Sequence, residues 1–245
     1  MVLSKFMNVS LLCSSLMLLI IAAFQSCTLV KKTAKQELSD GYYTKITTTG
    51  NSKVYIDVTE ETIAIYPTQK HSHIRVIDTT LPSVIYSSIS DVMGTYDFVL
   101  SKNSLDVDFI TMPLKYRWAQ QAMPPQLNAN LNGAFYLGFR NDRYKINYIA
   151  NPIRKAERYI NHFGYSVGVF TGIGNTAMNA ATTGNSMLQD YDGIVWSKGI
   201  AAIVGVNFFT IGLALGFDNL MDHNRTIWHY ESKPWVGVAV GLNLN

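Results

Sequence analysis

Four segments of the chain place large apolar residues at every second position, with small or uncharged polar residues between them. The segments are residues 130–140, 162–174, 209–219 and 233–245. Because successive side chains of a β-strand point to opposite faces, each segment predicts a strand with one large apolar face and one small face. In the last segment, Val236, Val238 and Val240 share one face, while Gly237 and Ala239 share the other. A half-buried strand of a soluble sheet would instead carry charged residues opposite its apolar face.

This pattern, repeated over segments of about ten residues, is typical of a transmembrane β-barrel whose large residues face lipid. Small inward residues suit a narrow barrel of about eight strands. We therefore predict an all-β fold with a small antiparallel transmembrane β-barrel in residues 91–245. The strand count includes residues 96–101 and 144–149 as short strands, with chain breaks at residues 101–104 and 140–143.

One long segment, residues 105–119, changes its alternation part-way. Leu105 belongs to one apolar phase and Leu114 to the other. An extra residue in one strand produces such a change, so we predict either a β-bulge near Phe109 and Ile110 or a change in the environment of the strand there.

Aromatic residues lie near the predicted strand ends, where membrane barrels carry belts of amphipathic rings. The predicted belt residues are Tyr116, Trp118, Tyr148, Tyr165, Trp196, Trp228, Tyr230 and Trp235.

A smaller β-rich region precedes the predicted barrel. Residues 42–47, 53–58, 62–68 and 73–79 are rich in strand-forming side chains and are separated by turn-like breaks. Spacing of roughly 8 to 12 residues between such runs favours a small sheet or meander. We assign residues 42–90 to this β module.

The first 26 residues resemble an export signal. Lys5 is followed by an apolar run from about Val9 to Phe24, and the segment has no acidic residue. About 16 apolar residues are short against the ~20 that span a bilayer as a helix. We predict a signal peptide at residues 1–26.

The signal ends in FQSC, with a small residue before Cys27. This sequence resembles the lipobox of bacterial lipoproteins of the Bacteroidota type, although Phe24 and Gln25 depart from the usual pattern. The resemblance implies acylation of Cys27, a lipidated tether at residues 27–41, and location in the periplasmic leaflet of the outer membrane. Removal of the signal would take Cys13 with it and leave Cys27 as the remaining cysteine, which excludes an intramolecular disulfide.

Six charged residues are predicted to form a polar network inside the barrel. They are Asp106, Asp108, Lys115, Arg117, Arg140 and Asp218. Each lies on the small-residue side of a predicted strand, or near the end of one, where charges of opposite sign could pair across the lumen.

The sequence favours a structural function. The chain contains no HExxH, CxxC or Walker pattern, so we predict no catalytic, metal or cofactor residues. The net charge of +3 comes from scattered residues and does not indicate a nucleic-acid partner. We predict an accessory subunit of an outer-membrane complex, with membrane lipid and other outer-membrane proteins as partners.

Three alternatives remain open from the sequence. A narrow channel requires an open lumen. A lipid-modifying enzyme requires His162, Ser166 and Asp192 to meet at the rim. A soluble lipid-anchored barrel of the lipocalin type would turn its large residues inward.

Overall fold

The computed structural model describes residues 38–72, 74–91, 93–120, 123–153, 156–187, 189–206 and 209–242. The predicted signal peptide, Cys27 and the tether up to residue 37 lie outside this part of the chain. The described chain is all-β, as predicted, and its thirteen strands form one antiparallel sheet. None of the helices within the described residues has the length and apolar character needed to cross a membrane.

The strands differ widely in length. The short early strands are β1 (Gly41–Thr47), β2 (Gly50–Val58), β3 (Thr62–His71), β4 (Ile74–Ile77), β5 (Val84–Ser87) and β6 (Gly94–Thr95). The later strands are β7 (Phe98–Arg117), β8 (Gln126–Asn128), β9 (Asn132–Ile149), β10 (Glu157–Met178), β11 (Tyr191–Val206), β12 (Phe209–Leu220) and β13 (Pro234–Leu242). A short 3₁₀ helix, His223–Thr226, precedes β13.

The early strands form an antiparallel meander in the order β1, β2, β3 and β4. β1 also pairs with the beginning of β7, where Thr44 lies opposite Ser101 and Thr47 lies opposite Phe98. The meander and the later strands therefore belong to one sheet.

Six of the later strands pair in a ring. β7, β9, β10, β11, β12 and β13 each pair with the next, and β13 pairs back with β7. The ring is uneven, since β13 has 9 residues and β10 has 22. Six strands enclose a narrower space than the eight that were predicted.

The lower strand number has a simple cause. Two of the predicted chain breaks are wrong, because residues 101–104 lie inside β7 and residues 140–143 lie inside β9. The short strands counted separately are the ends of these two long strands. Their outward polar side chains bond across the pair, with Asn141 Nδ2 donating to Asn103 Oδ1 at 2.6 Å. Residues typical of turns are therefore accommodated in continuous strands.

The irregularity in β7 lies later than predicted. Residues 111–114 of β7 lie opposite residues 238–240 of β13, so β7 has one more residue in this interval. Pro113 lies there and lacks a backbone N–H, which suits a bulge better than a regular ladder. The predicted position near Phe109 and Ile110 is wrong.

Buried apolar side chains form three clusters. The amino-terminal cluster is Leu38, Tyr43, Val54, Ile56, Ile63, Ile65, Tyr86, Phe98, Leu100, Tyr144, Ile146, Tyr148 and Ala156. The central cluster is Ile110, Met112, Ala134, Tyr136, Phe170, Ala201, Ile203, Ala214, Trp235 and Ala239. The end cluster is Met123, Met178, Val195, Leu220, Trp228 and Tyr230. The inward row of β9 passes from the central cluster at Tyr136 to the amino-terminal cluster at Tyr144.

Glycine makes room for the aromatic side chains of the central cluster. A Cβ atom at Gly216 would lie 2.5 Å from Trp235 Cζ2 and 2.9 Å from Phe170 Cζ. A Cβ atom at Gly199 would also lie 2.9 Å from Phe170 Cζ. The two rings therefore occupy space that adjacent strands leave open by having no side chain.

Gly216→Ala should destabilise the six-stranded ring because the added methyl group overlaps the indole of Trp235. Overpacking of this kind costs about 1 to 3 kcal/mol, measured as a lower urea midpoint of the detergent-solubilised protein. Ala202→Val is the control, since Ala202 is exposed on the outer face of β11. Equal midpoints for Gly216→Ala and the original protein would contradict the close packing described here.

Candidate functional site

The structure buries all six charged residues that were predicted to face the interior. Their exposed fractions are 5 % or less. Asp106, Asp108, Lys115 and Arg117 lie in β7, Arg140 lies in β9, and Asp218 lies in β12. The described contacts of five of them form two groups: the Asp218 cluster (Lys115, Arg117, Ser197, Asp218) and the Asp142 cluster (Asp106, Arg140, Asp142, His162).

The Asp218 cluster joins three strands. Lys115 Nζ donates to both carboxylate oxygens of Asp218, at 3.2 and 3.1 Å. Arg117 forms an ion pair with the same carboxylate. Ser197 Oγ donates to Asp218 Oδ1 at 2.6 Å. Because Lys115 and Arg117 are two residues apart, they share the inward face beyond the bulge and reach one partner.

Aromatic rings surround the two cations. Lys115 Nζ lies 4.3 Å from the centre of the Trp235 ring. Arg117 Cζ lies 5.3 Å from the centre of the Trp228 ring and 5.2 Å from that of Tyr230. Burial raises the pKa of Tyr230, so its phenol stays neutral beside the cation. Cation–π contacts of this kind strengthen where water is excluded.

The prediction of an interfacial aromatic belt is wrong for four of its eight residues. Tyr148, Trp228, Tyr230 and Trp235 are buried. The other four, Tyr116, Trp118, Tyr165 and Trp196, are exposed on the outside of the ring strands or just beyond them. A position near a strand end does not determine whether an aromatic side chain faces outward or inward. The alternation of side chains along the strand determines this.

The Asp142 cluster lies between the amino-terminal and central clusters. Arg140 Nε donates to Asp142 Oδ1 at 2.8 Å, and Arg140 Nη1 lies 3.9 Å from Asp106 Oδ2. His162 Nε2 lies 2.7 Å from Asp142 Oδ1. The His162 ring is 4.8 Å, centre to centre, from Tyr144 of the amino-terminal cluster. Charged groups thus separate two apolar layers.

His162, Ser166 and Asp192 do not meet. His162 contacts Asp142, while Ser166 Oγ lies 2.8 Å from Tyr136 OH. Asp192 is exposed and lies opposite Ala177. Ala177 is roughly 50 Å from His162 along β10, at ~3.3 Å per residue. The geometry provides no Ser, His and acid set from these three residues.

The outer face of the ring is dominated by large apolar side chains, whereas the interior holds both the two ion clusters and the apolar central cluster. The outer face exposes large apolar side chains on all six strands. They include Leu105, Phe109, Leu114, Phe135, Leu137, Phe139, Phe163, Val167, Val169, Ile173, Ile194, Ile200, Val204, Ile211, Leu213, Leu215, Phe217 and Val240. Among the described residues of the four alternating segments, the alternating apolar rows that include Leu137, Val167 and Leu213 are exposed, contrary to a lipocalin-type arrangement.

Comparison of the chain with protein-family models, curated proteins and solved structures finds no match. Among the described residues, no group of three or more His, Cys, Asp or Glu side chains could hold a metal ion.

Sequence reasoning missed three members of the two ion clusters. Asp142 lies in a segment that was assigned to a chain break, so its inward position was not considered. His162 was considered only as part of an enzyme. Ser197 lies in β11, where the alternation of large and small residues is less regular, although its separation from Ala201 by four residues places both on one face.

Asp218→Asn should destabilise the fold strongly because it leaves two buried cations without their carboxylate. Removing one partner of a buried ion pair costs about 3 to 5 kcal/mol, measured by urea unfolding in detergent. Asp192→Asn is the matched control, since Asp192 is exposed. Lys115→Met in the Asp218→Asn background should restore part of the loss, and no recovery would contradict the pairing.

Proposed function

We propose that this chain is an outer-membrane lipoprotein whose strand ring is a transmembrane β-barrel, and that it serves as a structural or accessory subunit of an outer-membrane complex. One observation carries the proposal: the ring strands bury ion pairs and expose large apolar side chains. This is the reverse of the polarity that water selects.

Lipid outside the ring accounts for this polarity. In water, each large apolar side chain left exposed forgoes about 1.5 to 3 kcal/mol of burial free energy. Large contiguous apolar patches are correspondingly rare on soluble monomers. In a bilayer the same side chains are solvated by acyl chains, while the ring satisfies the backbone hydrogen bonds internally.

The height of the apolar surface also fits a bilayer. On β10 the outward residues from Tyr165 to Ile173 are mainly apolar. This run extends about 26 Å along the strand, or about 20 Å after a tilt of ~40°. Bacterial outer-membrane barrels carry an apolar band ≈ 25 Å tall.

The filled interior favours a structural role over conduction. Trp235, Tyr136 and Met112 are fully buried inside the ring. The smallest single-chain barrels of the bacterial outer membrane have about eight strands, so a ring of six leaves less room for a water-filled path.

The early strands give this barrel a rigid extension. β7, β9 and β10 run from the ring into the amino-terminal cluster without a break. A sheet continuous with its anchor holds a fixed position at the membrane surface, which suits a subunit that positions other outer-membrane proteins.

The first test separates the barrel from the lipid anchor. Cys27→Ala should remove lipidation that is sensitive to globomycin. Because the ring has its own lipid-facing surface, the protein should still remain in the membrane pellet after alkaline carbonate extraction. The matched control is a soluble domain fused to residues 1–41, which should leave the membrane when Cys27 is replaced. Full release of the Cys27→Ala protein into the soluble fraction would contradict the barrel proposal.

The second test addresses conduction. Purified protein in a planar bilayer should give no single-channel steps, because buried side chains fill the ring. A porin of about 16 strands, whose lumen is a water-filled channel, prepared identically, provides the positive control. Regular conductance steps that vanish on heat unfolding would favour the channel function instead.

A further inference from the structure

The outer face of β9 changes character along its length. Phe135, Leu137 and Phe139 point outward and are exposed in the ring. After Asn141, the next outward residues are Arg143 and Lys145, both exposed. A single strand face thus passes from apolar to cationic within a few residues.

Neighbouring strands shape a groove around the two cations. Arg143 lies opposite Ser101 of β7 and Phe163 of β10. Lys145 lies opposite Asn161. The groove encloses about 290 Å³ and is lined by Val99, Arg143, Tyr144, Lys145, Asn161, His162 and Phe163. This lining combines two cations with apolar side chains and contains no carboxylate.

Two contacts orient Arg143 at the edge of the apolar surface. Its Nε donates to Asn141 Oδ1 at 3.2 Å. Its Cζ lies 5.7 Å from the centre of the exposed Tyr165 ring. A guanidinium beside an interfacial tyrosine can donate to a phosphate while its stem covers apolar surface.

We propose that Arg143 and Lys145 form a binding site for the phosphate of an anionic membrane lipid. This inference rests on the proposed function. The phosphate lies in the groove, and the acyl chains extend over Phe163, Phe139 and the apolar surface beyond them. The site therefore marks the membrane boundary on the side of the amino-terminal strands.

The chain leading to the fold is consistent with this boundary. Leu38 is buried in the amino-terminal cluster, and ten residues separate it from Cys27. Ten residues span at most about 35 Å. This reach is long enough for a lipid on Cys27 to enter the same membrane surface as the proposed headgroup site.

Native mass spectrometry of the full chain in detergent tests the site. The probes are phosphatidylglycerol and phosphatidylcholine with identical acyl chains, added at equal concentration. The original protein should retain phosphatidylglycerol about tenfold more than phosphatidylcholine, since each basic residue at a membrane surface favours anionic lipid. Arg143→Gln with Lys145→Gln should reduce the preference to about twofold or less.

Lys53→Gln with Lys70→Gln is the matched control. It removes the same charge from exposed positions on β2 and β3, so it should keep the tenfold preference. A preference that is absent from the original protein, or that survives replacement of Arg143 and Lys145, overturns the lipid site.

Alkaline extraction of the same variants separates this inference from the proposed function. If the Cys27→Ala protein, with Arg143 and Lys145 unchanged, leaves the membrane, the barrel proposal itself fails. If the Cys27→Ala protein stays in the membrane pellet but the preference for phosphatidylglycerol does not depend on Arg143 and Lys145, only the headgroup site fails. Preference for an acidic protein over phosphatidylglycerol would also overturn the lipid assignment.

Discussion

The narrow interior of a six-stranded ring is the constraint on which the other features depend. Strands about 4.8 Å apart, closed in so small a ring, leave no room for large inward side chains at every position. The chain meets this limit by placing Gly199 and Gly216 beside the rings of Phe170 and Trp235. Since inward positions are taken by small residues or by a few interlocking large ones, most large apolar residues must point outward.

Charged residues inside such a ring are costly unless every charge is compensated. Asp218 receives hydrogen bonds from Lys115 and Ser197 and pairs with Arg117. Replacing buried ion pairs with apolar residues is often neutral or stabilising, so their presence is not explained by stability alone. Here the cluster links β7, β11 and β12, which fixes their register, and a shift by one residue would turn these charges toward the apolar outer face.

The sequence predicts the part of the structure that depends on local alternation. Strand positions, the outward direction of residues such as Leu213, and the inward position of Asp218 all follow from a period of two. Ring size does not follow from local pattern, because segments such as SKNS and RNDR contain turn-forming residues that long-range pairing keeps extended. The side of the ring occupied by Trp235 was missed because its position near a strand end was given more weight than its phase.

The proposed double attachment assigns different physical roles to the lipid and the ring. A lipid anchor adds membrane affinity but does not by itself define the orientation of a folded domain. The ring can fix the orientation of the early strands, because β7, β9 and β10 enter the amino-terminal cluster directly. Acyl chains add membrane affinity through about 0.8 kcal/mol per buried CH₂ and require no folded structure. In the proposed arrangement the lipid holds the chain at the membrane before the ring closes, while strands with exposed apolar faces find their partners. In the same proposal, the outer surface of the closed ring supplies the membrane attachment and the continuous strands supply the orientation.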